Sequence, residues 1–409
     1  MFACHQVSIT ALIALILLSG CGKAEPMPTI VSTALSPTAA PTSPPATETP
    51  PPLPCELTVS FEKSAQVFPA VPTWKIGLAD LDGDGDLDAV FANARQDASQ
   101  VWLNDGGVQN GTPGHFSDSG QQLTTQGHGI DTGDVDGDGD VDLLFSAHTA
   151  KPSELFLNDG NASFERVDQA FDRSIGYRAT LVDIDGDGDL DAVGEDGSAT
   201  EVYLGDETGH FAPSGISFPL TVELGDLDAD GDMDVFIKEE GIGYTATLND
   251  GAGNFRSRWT HQEPMAIRMG DVALGDVDND GDLDAVITNG HFQSTSHPAM
   301  VFMNDGTAQF ADSGQRLSTV KNAGVALGDL DGDGDLDLVL ADHMEPCQIW
   351  LNDGSGQFIE SGFRFGGGQF YRHVHLGDLD GDGDLDVFLA TFGIREGPNE
   401  VWFNTTPAN

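Results

Sequence analysis

The nine-residue stretch from Asp80 to Asp88, Asp-Leu-Asp-Gly-Asp-Gly-Asp-Leu-Asp, recurs seven times and constrains the fold more than any other feature. The copies begin at Asp80, Asp134, Asp183, Asp226, Asp276, Asp329 and Asp378, in steps of 43 to 54 residues. A period near fifty marks repeated supersecondary units, as in a propeller or a solenoid, rather than one irregular globule.

All seven copies keep acids at positions 1, 3, 5, 7 and 9 and glycine at position 6. The acids are Asp80, Asp82, Asp84, Asp86 and Asp88, then Asp134, Asp136, Asp138, Asp140 and Asp142, then Asp183, Asp185, Asp187, Asp189 and Asp191. Copies four and five carry Asp226, Asp228, Asp230, Asp232 and Asp234, and Asp276, Asp278, Asp280, Asp282 and Asp284. Copies six and seven carry Asp329, Asp331, Asp333, Asp335 and Asp337, and Asp378, Asp380, Asp382, Asp384 and Asp386.

Calcium takes six to eight oxygens at roughly 2.3–2.6 Å. Carboxylates on alternate residues of a tight turn converge, glycine at position 6 permits the reversal, the position-7 carbonyl adds an oxygen and position 9 closes the cage. The expectation is about seven Ca²⁺ sites. An EF-hand starts in the same way but needs a glutamate at position 12 and flanking helices. Phe91 stands there instead, and the flanks are short apolar runs such as Asp337-Leu-Val-Leu. The paired, helical dockerin arrangement fits poorly for the same reason.

The chain has 67 acidic and 17 basic residues and a formal charge of −50. The loops hold over half of those acids, and seven divalent ions would bring the charge to −36. The acidity is mainly that of metal ligands. It argues against nucleic acid, whose phosphates need a basic patch. The 51 glycines and short apolar runs read as strands and turns.

Val7 to Leu18 is an apolar run too short to span a bilayer and suited to a secretory signal. It ends in Leu18-Ser19-Gly20-Cys21, which resembles the bacterial lipobox, although Met1 to Gln6 lack Lys and Arg. The resemblance implies cleavage before Cys21 and lipidation of it. Residues 1–20 are then a signal peptide and 21–55 a Pro/Thr-rich tether without a core. The expected location is the bacterial cell surface, with lipid as the only membrane attachment.

From residue 56 to 409 each unit reads strand A, acidic loop, strand B, variable loop, strand C, tight turn, strand D. Strand C ends in Asn-Asp-Gly, as in Trp102-Leu-Asn-Asp-Gly and Trp350-Leu-Asn-Asp-Gly, and a phenylalanine such as Phe116 or Phe358 opens strand D. Asn-Asp-Gly is hairpin chemistry. The last unit lacks strand D, whereas Leu57 to Ser64 resembles one. Residues 57–64 are therefore expected to supply the outer strand of the seventh blade and to close an all-β, seven-bladed propeller of four-stranded antiparallel blades.

These units resemble FG-GAP or VCBS-type repeats, found in the integrin α-subunit propeller and in many bacterial surface proteins. The Gly-Ala-Pro tripeptide after strand B is absent, with Phe91-Ala-Asn and Ala341-Asp-His in its place. The bacterial VCBS-like branch is therefore the closer resemblance. It spans adhesins, lectin-like proteins and lyase-associated domains, so it leaves function open.

Strand alternation puts the acidic loops and the C–D turns on one face, and the B–C and D–A loops on the other. Candidate ligand-face residues are Trp74, Arg95, His148, Tyr177, Arg178, Arg268, His291, His343, Tyr371, Arg372 and Arg395. Asp131, Glu223 and His375 stand on strand A where they could border a central channel. Cys55 and Cys347 map to opposite faces, and no disulfide is expected. The leading function is a calcium-binding surface module for an extracellular glycan or protein. A lyase-like enzyme and an envelope scaffold are the alternatives. No nucleophile elbow, zinc motif or dinucleotide fingerprint is present.

Overall fold

In the first repeat the apolar run after the loop becomes β3 (Asp88–Asn93), buried along its whole length. It lies between β2 (Thr73–Ala79) and β4 (Gln100–Asn104), and β5 (Phe116–Gln122) forms the outer edge with alternating exposure. A strand covered on both faces reads as a continuous apolar run, and an edge strand alternates.

The computed structural model describes residues 59–407 apart from 95–96, 107–110, 125–126, 148–151, 169–170, 172–174, 196–198, 220, 240, 264–269, 289–296, 319–321, 343–344 and 393–396. The signal, the tether, Cys21 and Cys55 lie outside the described residues. Among the described residues there are 28 strands in seven four-stranded antiparallel sheets, and no helix. The chain is a seven-bladed β-propeller.

The innermost strands are β2, β6 (Gly127–Gly133), β10 (Arg178–Val182), β14 (Thr221–Gly225), β18 (Val272–Gly275), β22 (Asn322–Gly328) and β26 (Tyr371–Gly377). The last sheet runs β1 (Phe61–Lys63), β28 (Glu400–Asn404), β27 (Asp386–Thr391), β26. Phe61 pairs with Asn404 and Lys63 with Trp402, so the expected closure by the segment ahead of the first blade is present.

Each seam between neighbouring sheets holds its own apolar cluster. The cluster joining the last blade to the first sets Ile76 and Phe91 against Phe388 and Ala390. Phe68 sits within it, with ring centroids 5.2 to 6.1 Å from those of Phe91, Trp102, Phe116 and Phe388.

Side-chain amides bridge the same seams. Asn104, Asn158, Asn249, Asn304, Asn352 and Asn404 each donate Nδ2 to the carbonyl of loop position 2 in the preceding blade, at 2.7 to 2.9 Å. The third blade has Gly205 at the equivalent position and makes no such bond. Further out, Gln66, Gln121 and Gln315 each bond the backbone of the next blade in both directions, for example Phe358 N–H to Gln315 Oε1 and Gln315 Nε2 to the Gly356 carbonyl.

Candidate metal loops and the channel mouth

In each acidic loop, backbone N–H groups fix the carboxylates. Asp80 accepts from Asp84 and Gly85, and Asp84 accepts from Asp86. Asp88 accepts from Leu81 through Oδ2 and from Asn104 through Oδ1. The other copies repeat this pattern, as at Asp386 with Leu379 and Asn404. The glycine at position 6 has φ between 94° and 100° in every copy, a region open to glycine at little cost.

Positions 1, 3 and 9 gather. Single oxygens of Asp80, Asp82 and Asp88 lie within 4.8 Å of one another, as do those of Asp134, Asp136 and Asp142, of Asp183, Asp185 and Asp191, and of Asp276, Asp278 and Asp284. In the fourth copy the group is Asp226, Asp228 and Asp230. Oδ1 of Asp136, Asp185, Asp228, Asp278 and Asp380 is buried with no donor. A buried acceptor among like charges is costly unless a cation meets it. Burial, with the charges at positions 5 and 1, raises the pKa of these position-3 carboxyls. Burial also pushes the position-9 carboxyls up to about 6 or 7, against two backbone N–H bonds each.

An all-oxygen donor set with an undonated buried oxygen fits a hard divalent cation such as calcium. Positions 1, 3 and 9 would hold it, and its charge would offset the crowding. Position 7 faces elsewhere. A Cβ on Gly160 would come 2.6 Å from the Asp140 carboxylate, and one on Gly354 would come 2.8 Å from that of Asp335. In five blades the position-7 side chain packs in this way on the glycine of its own C–D turn, and φ is 75° at Gly160 and Gly354. That contact explains the glycine of Asn-Asp-Gly.

A second group surrounds the central channel on the opposite face, where the inner strands begin. Three residues along strand A matter, counted back from the first loop aspartate. Six residues before it stand Trp74, His128, Tyr177 and Arg372, which form the rim. Five before stand Lys75, Arg178, Asp271 and His373, which form the wall. Three before stand Asp131, Glu223 and His375, further in.

Trp74 stacks on Phe392 at 4.0 Å and lies 4.5 Å from His128, which meets Tyr177 at 5.7 Å. The Arg372 guanidinium lies 4.4 Å from the centroid of Trp74. Arg178 Nη2 donates to Asp271 Oδ1 at 2.8 Å, and Lys75 approaches Asp131 at 3.9 Å. Lys75, Arg178, Asp271, Glu223, His373 and His375 line a cavity of about 250 Å³.

Burial dominates the acid–base properties there. It pushes Glu223 up to about 7 and Lys238 down to about 7. It also brings His375 down to about 3 and, aided by Arg178, Arg372 to about 10.

The structure thus brings Trp74, Tyr177, Arg178 and Arg372 together, and of the three strand-A residues Asp131, Glu223 and His375 the last two line the cavity. Tyr371 is separate, because its ring is fully buried in the seam beside Cys347 and Phe365 and its hydroxyl accepts from Gly367. Arg95, His148, Arg268, His291, His343 and Arg395 lie outside the described residues. Asp271 and Phe392 were not singled out from the sequence. Aligning the repeats on their loops would have placed Asp271 in the column of Lys75, Arg178 and His373.

Fold and loops define a repeat-built propeller whose aspartate clusters could hold metal ions. The family profile for FG-GAP-like repeats matches residues 80–145, 134–194, 183–237 and 329–389, more than half of the sequence. The chain belongs to the FG-GAP-like repeat family.

Among curated proteins no sequence matches significantly. Solved structures resemble it in fold. A lectin of Agrocybe aegerita that recognises non-reducing terminal N-acetylglucosamine is 18% identical over 83% of this chain and 86% of its own, with a TM-score of 0.50. The BP39L lectin of Burkholderia pseudomallei is 11% identical over 83% and 98%, with a TM-score of 0.57. BBS1N, in complex with ARL6DN, is 9% identical over 87% and 99%, with a TM-score of 0.57.

Proposed function

We propose that this chain is a calcium-clamped binding module for an extracellular glycan, held at the bacterial surface by lipid on Cys21. The observation that carries the binding role is the channel mouth. In a chain of charge −50, it collects Lys75, Arg178 and Arg372 beside Trp74 and Tyr177. Two lectins among the proteins of similar fold support a glycan ligand, and BBS1N, which shares the fold in complex with a protein, makes a protein ligand the alternative. In each loop the cation would tie strand A to strand B and, through position 9, to strand C.

Two measurements test this reading. Ligands of the native state stabilise it by mass action, so EDTA should lower the melting temperature and calcium should restore it. An unchanged melt would remove the calcium role. A glycan array with the calcium-loaded chain should show retention, and silence across the array would remove the glycan role. Palmitate labelling of Cys21, lost on Cys21→Ser, tests the anchor.

One observation favours an enzymatic second reading. Glu223, with its pKa near 7, faces Arg178 and Lys75, a setting suited to proton transfer. A lyase would shorten an acidic polysaccharide and lose that activity in Glu223→Gln, whereas a pure binder leaves the polymer uncut.

A further inference from the structure

We propose that the channel mouth takes the carboxylate-bearing terminal sugar of an acidic glycan, with Arg372 and Arg178 as the carboxylate's partners. This deepens the glycan-binding reading and rests on it.

The argument begins with Arg372. Its guanidinium lies on the face of Trp74. Among the described residues it has no ion-pair or hydrogen-bond partner. Arg178 stands near enough for its charge to disfavour that of Arg372, and the one carboxylate bonded there, Asp271, bonds Arg178. Asp271 and Glu195 offset that repulsion from a distance, but neither bonds Arg372, so a guanidinium withdrawn from water on an indole has its fork open to an anion. A planar carboxylate matches two such forks.

The cavity beneath narrows the choice. At about 250 Å³ it falls below the roughly 300 Å³ at which drug-sized sites begin, so it admits one ring or a chain end. Its inner wall offers donors and an acceptor together. His375 Nε2 is buried without a partner, Lys75 stands beside it, and Glu223 faces them. Sugar hydroxyls use both kinds of group. A phosphate dianion would instead meet Glu223 and Asp271, so a singly charged, hydroxyl-bearing acid fits better.

Calorimetric titration of the calcium-loaded full chain with D-glucuronate, D-glucose and acetate tests this. Glucuronate should bind at least about tenfold more tightly than either control, since one lacks the carboxylate and the other the hydroxyls. Arg372→Met keeps the apolar contact with Trp74 and should weaken glucuronate by about tenfold or more. Arg364→Gln removes a cation on the outer strand of the sixth blade, away from the channel, and should leave the affinity unchanged.

Glucuronate binding that is absent, matched by acetate, or unaltered in a folded Arg372→Met chain overturns the proposal. If that variant does not fold, the wild-type comparison and Arg364→Gln still decide, because a large loss in the latter contradicts the assignment. Array retention of neutral glycans without glucuronate binding would sink this proposal and leave the broader reading standing. Glucuronate binding with a silent array would overturn both, since the cavity would then take the free acid and not the terminal sugar of a glycan.

Discussion

At position 4 of the acidic loop the backbone lies in the left-handed region, with φ of 73° at Gly83 and 77° at Gly381. Two copies place a side chain there, Ala229 and Asn279, both at 59°. Asparagine tolerates this region, and Asn279 donates to Asp335 across the seam at 2.7 Å. Alanine has neither advantage, and left-handed backbone costs an L-residue roughly 1–2 kcal/mol. Ala229→Gly, less the entropy of the freer unfolded chain, should stabilise by about 0.5–1 kcal/mol, read from urea unfolding in calcium.

Lys238 gives a pH prediction at the same scale. Its buried ammonium donates to the Thr288 carbonyl at 2.6 Å. Burial lowers its pKa from 10.5 to about 7, with Asp271 and Glu195 opposing and Arg178 assisting. The unfolded chain therefore binds more protons between about pH 7 and 10.5, so this group makes stability rise with pH across that window. In Lys238→Met the rise should vanish. The stability of the variant relative to wild type should fall between pH 7 and 10, by on the order of a few kcal/mol. A parallel pH profile for the two proteins would contradict this.

The elements are coupled by the strand-C asparagines. Each links its own position-9 aspartate, through its backbone N–H, to the loop of the preceding blade, through its side chain. Asn249→Ala strips the buried Ile184 carbonyl of a donor, and an unsatisfied buried group costs about 1–3 kcal/mol. Denaturant unfolding should show that loss. Gly205 is the exception, because its Cβ would collide with the Leu190 carbonyl. Gly205→Asn should therefore destabilise rather than add the missing link between the second and third blades.

Blade count, strand order and loop positions were legible because the period and the aspartate spacing are local patterns. The asparagine's role was not. Asn-Asp-Gly reads as a hairpin turn, and nothing local shows that the amide reaches a carbonyl 77 residues away, as Asn158 does to Leu81. The glutamines hid likewise, although each stands five residues after the strand-D phenylalanine, as Gln121 does after Phe116 and Gln315 after Phe310. At the channel, the charged columns could be counted but not paired, since Arg178 meets Asp271 across 93 residues.

At the scale of the whole molecule, one short strand joins the two ends of the ring. β1 pairs with β28 over three residues, and Ser64 N–H to the Val401 carbonyl and Thr405 N–H to the Ser60 carbonyl extend the pairing. Phe61 packs on Phe363 and Phe365, while Gln66 bonds Phe116 of the first blade. This segment therefore completes the last blade and also holds it to the first. Deleting residues 53–68 would bare the β28 edge, a row of unpaired backbone groups that invites another chain. It would also remove Phe68 from the aromatic cluster of that seam. The truncated chain should elute as dimers or larger species and melt lower in calcium. A synthetic peptide of residues 55–70 added in trans should return it to a monomer, because the groove left behind is specific for that sequence. A truncated chain that stays monomeric and equally stable would show that the seam between the last and first blades closes without this strand.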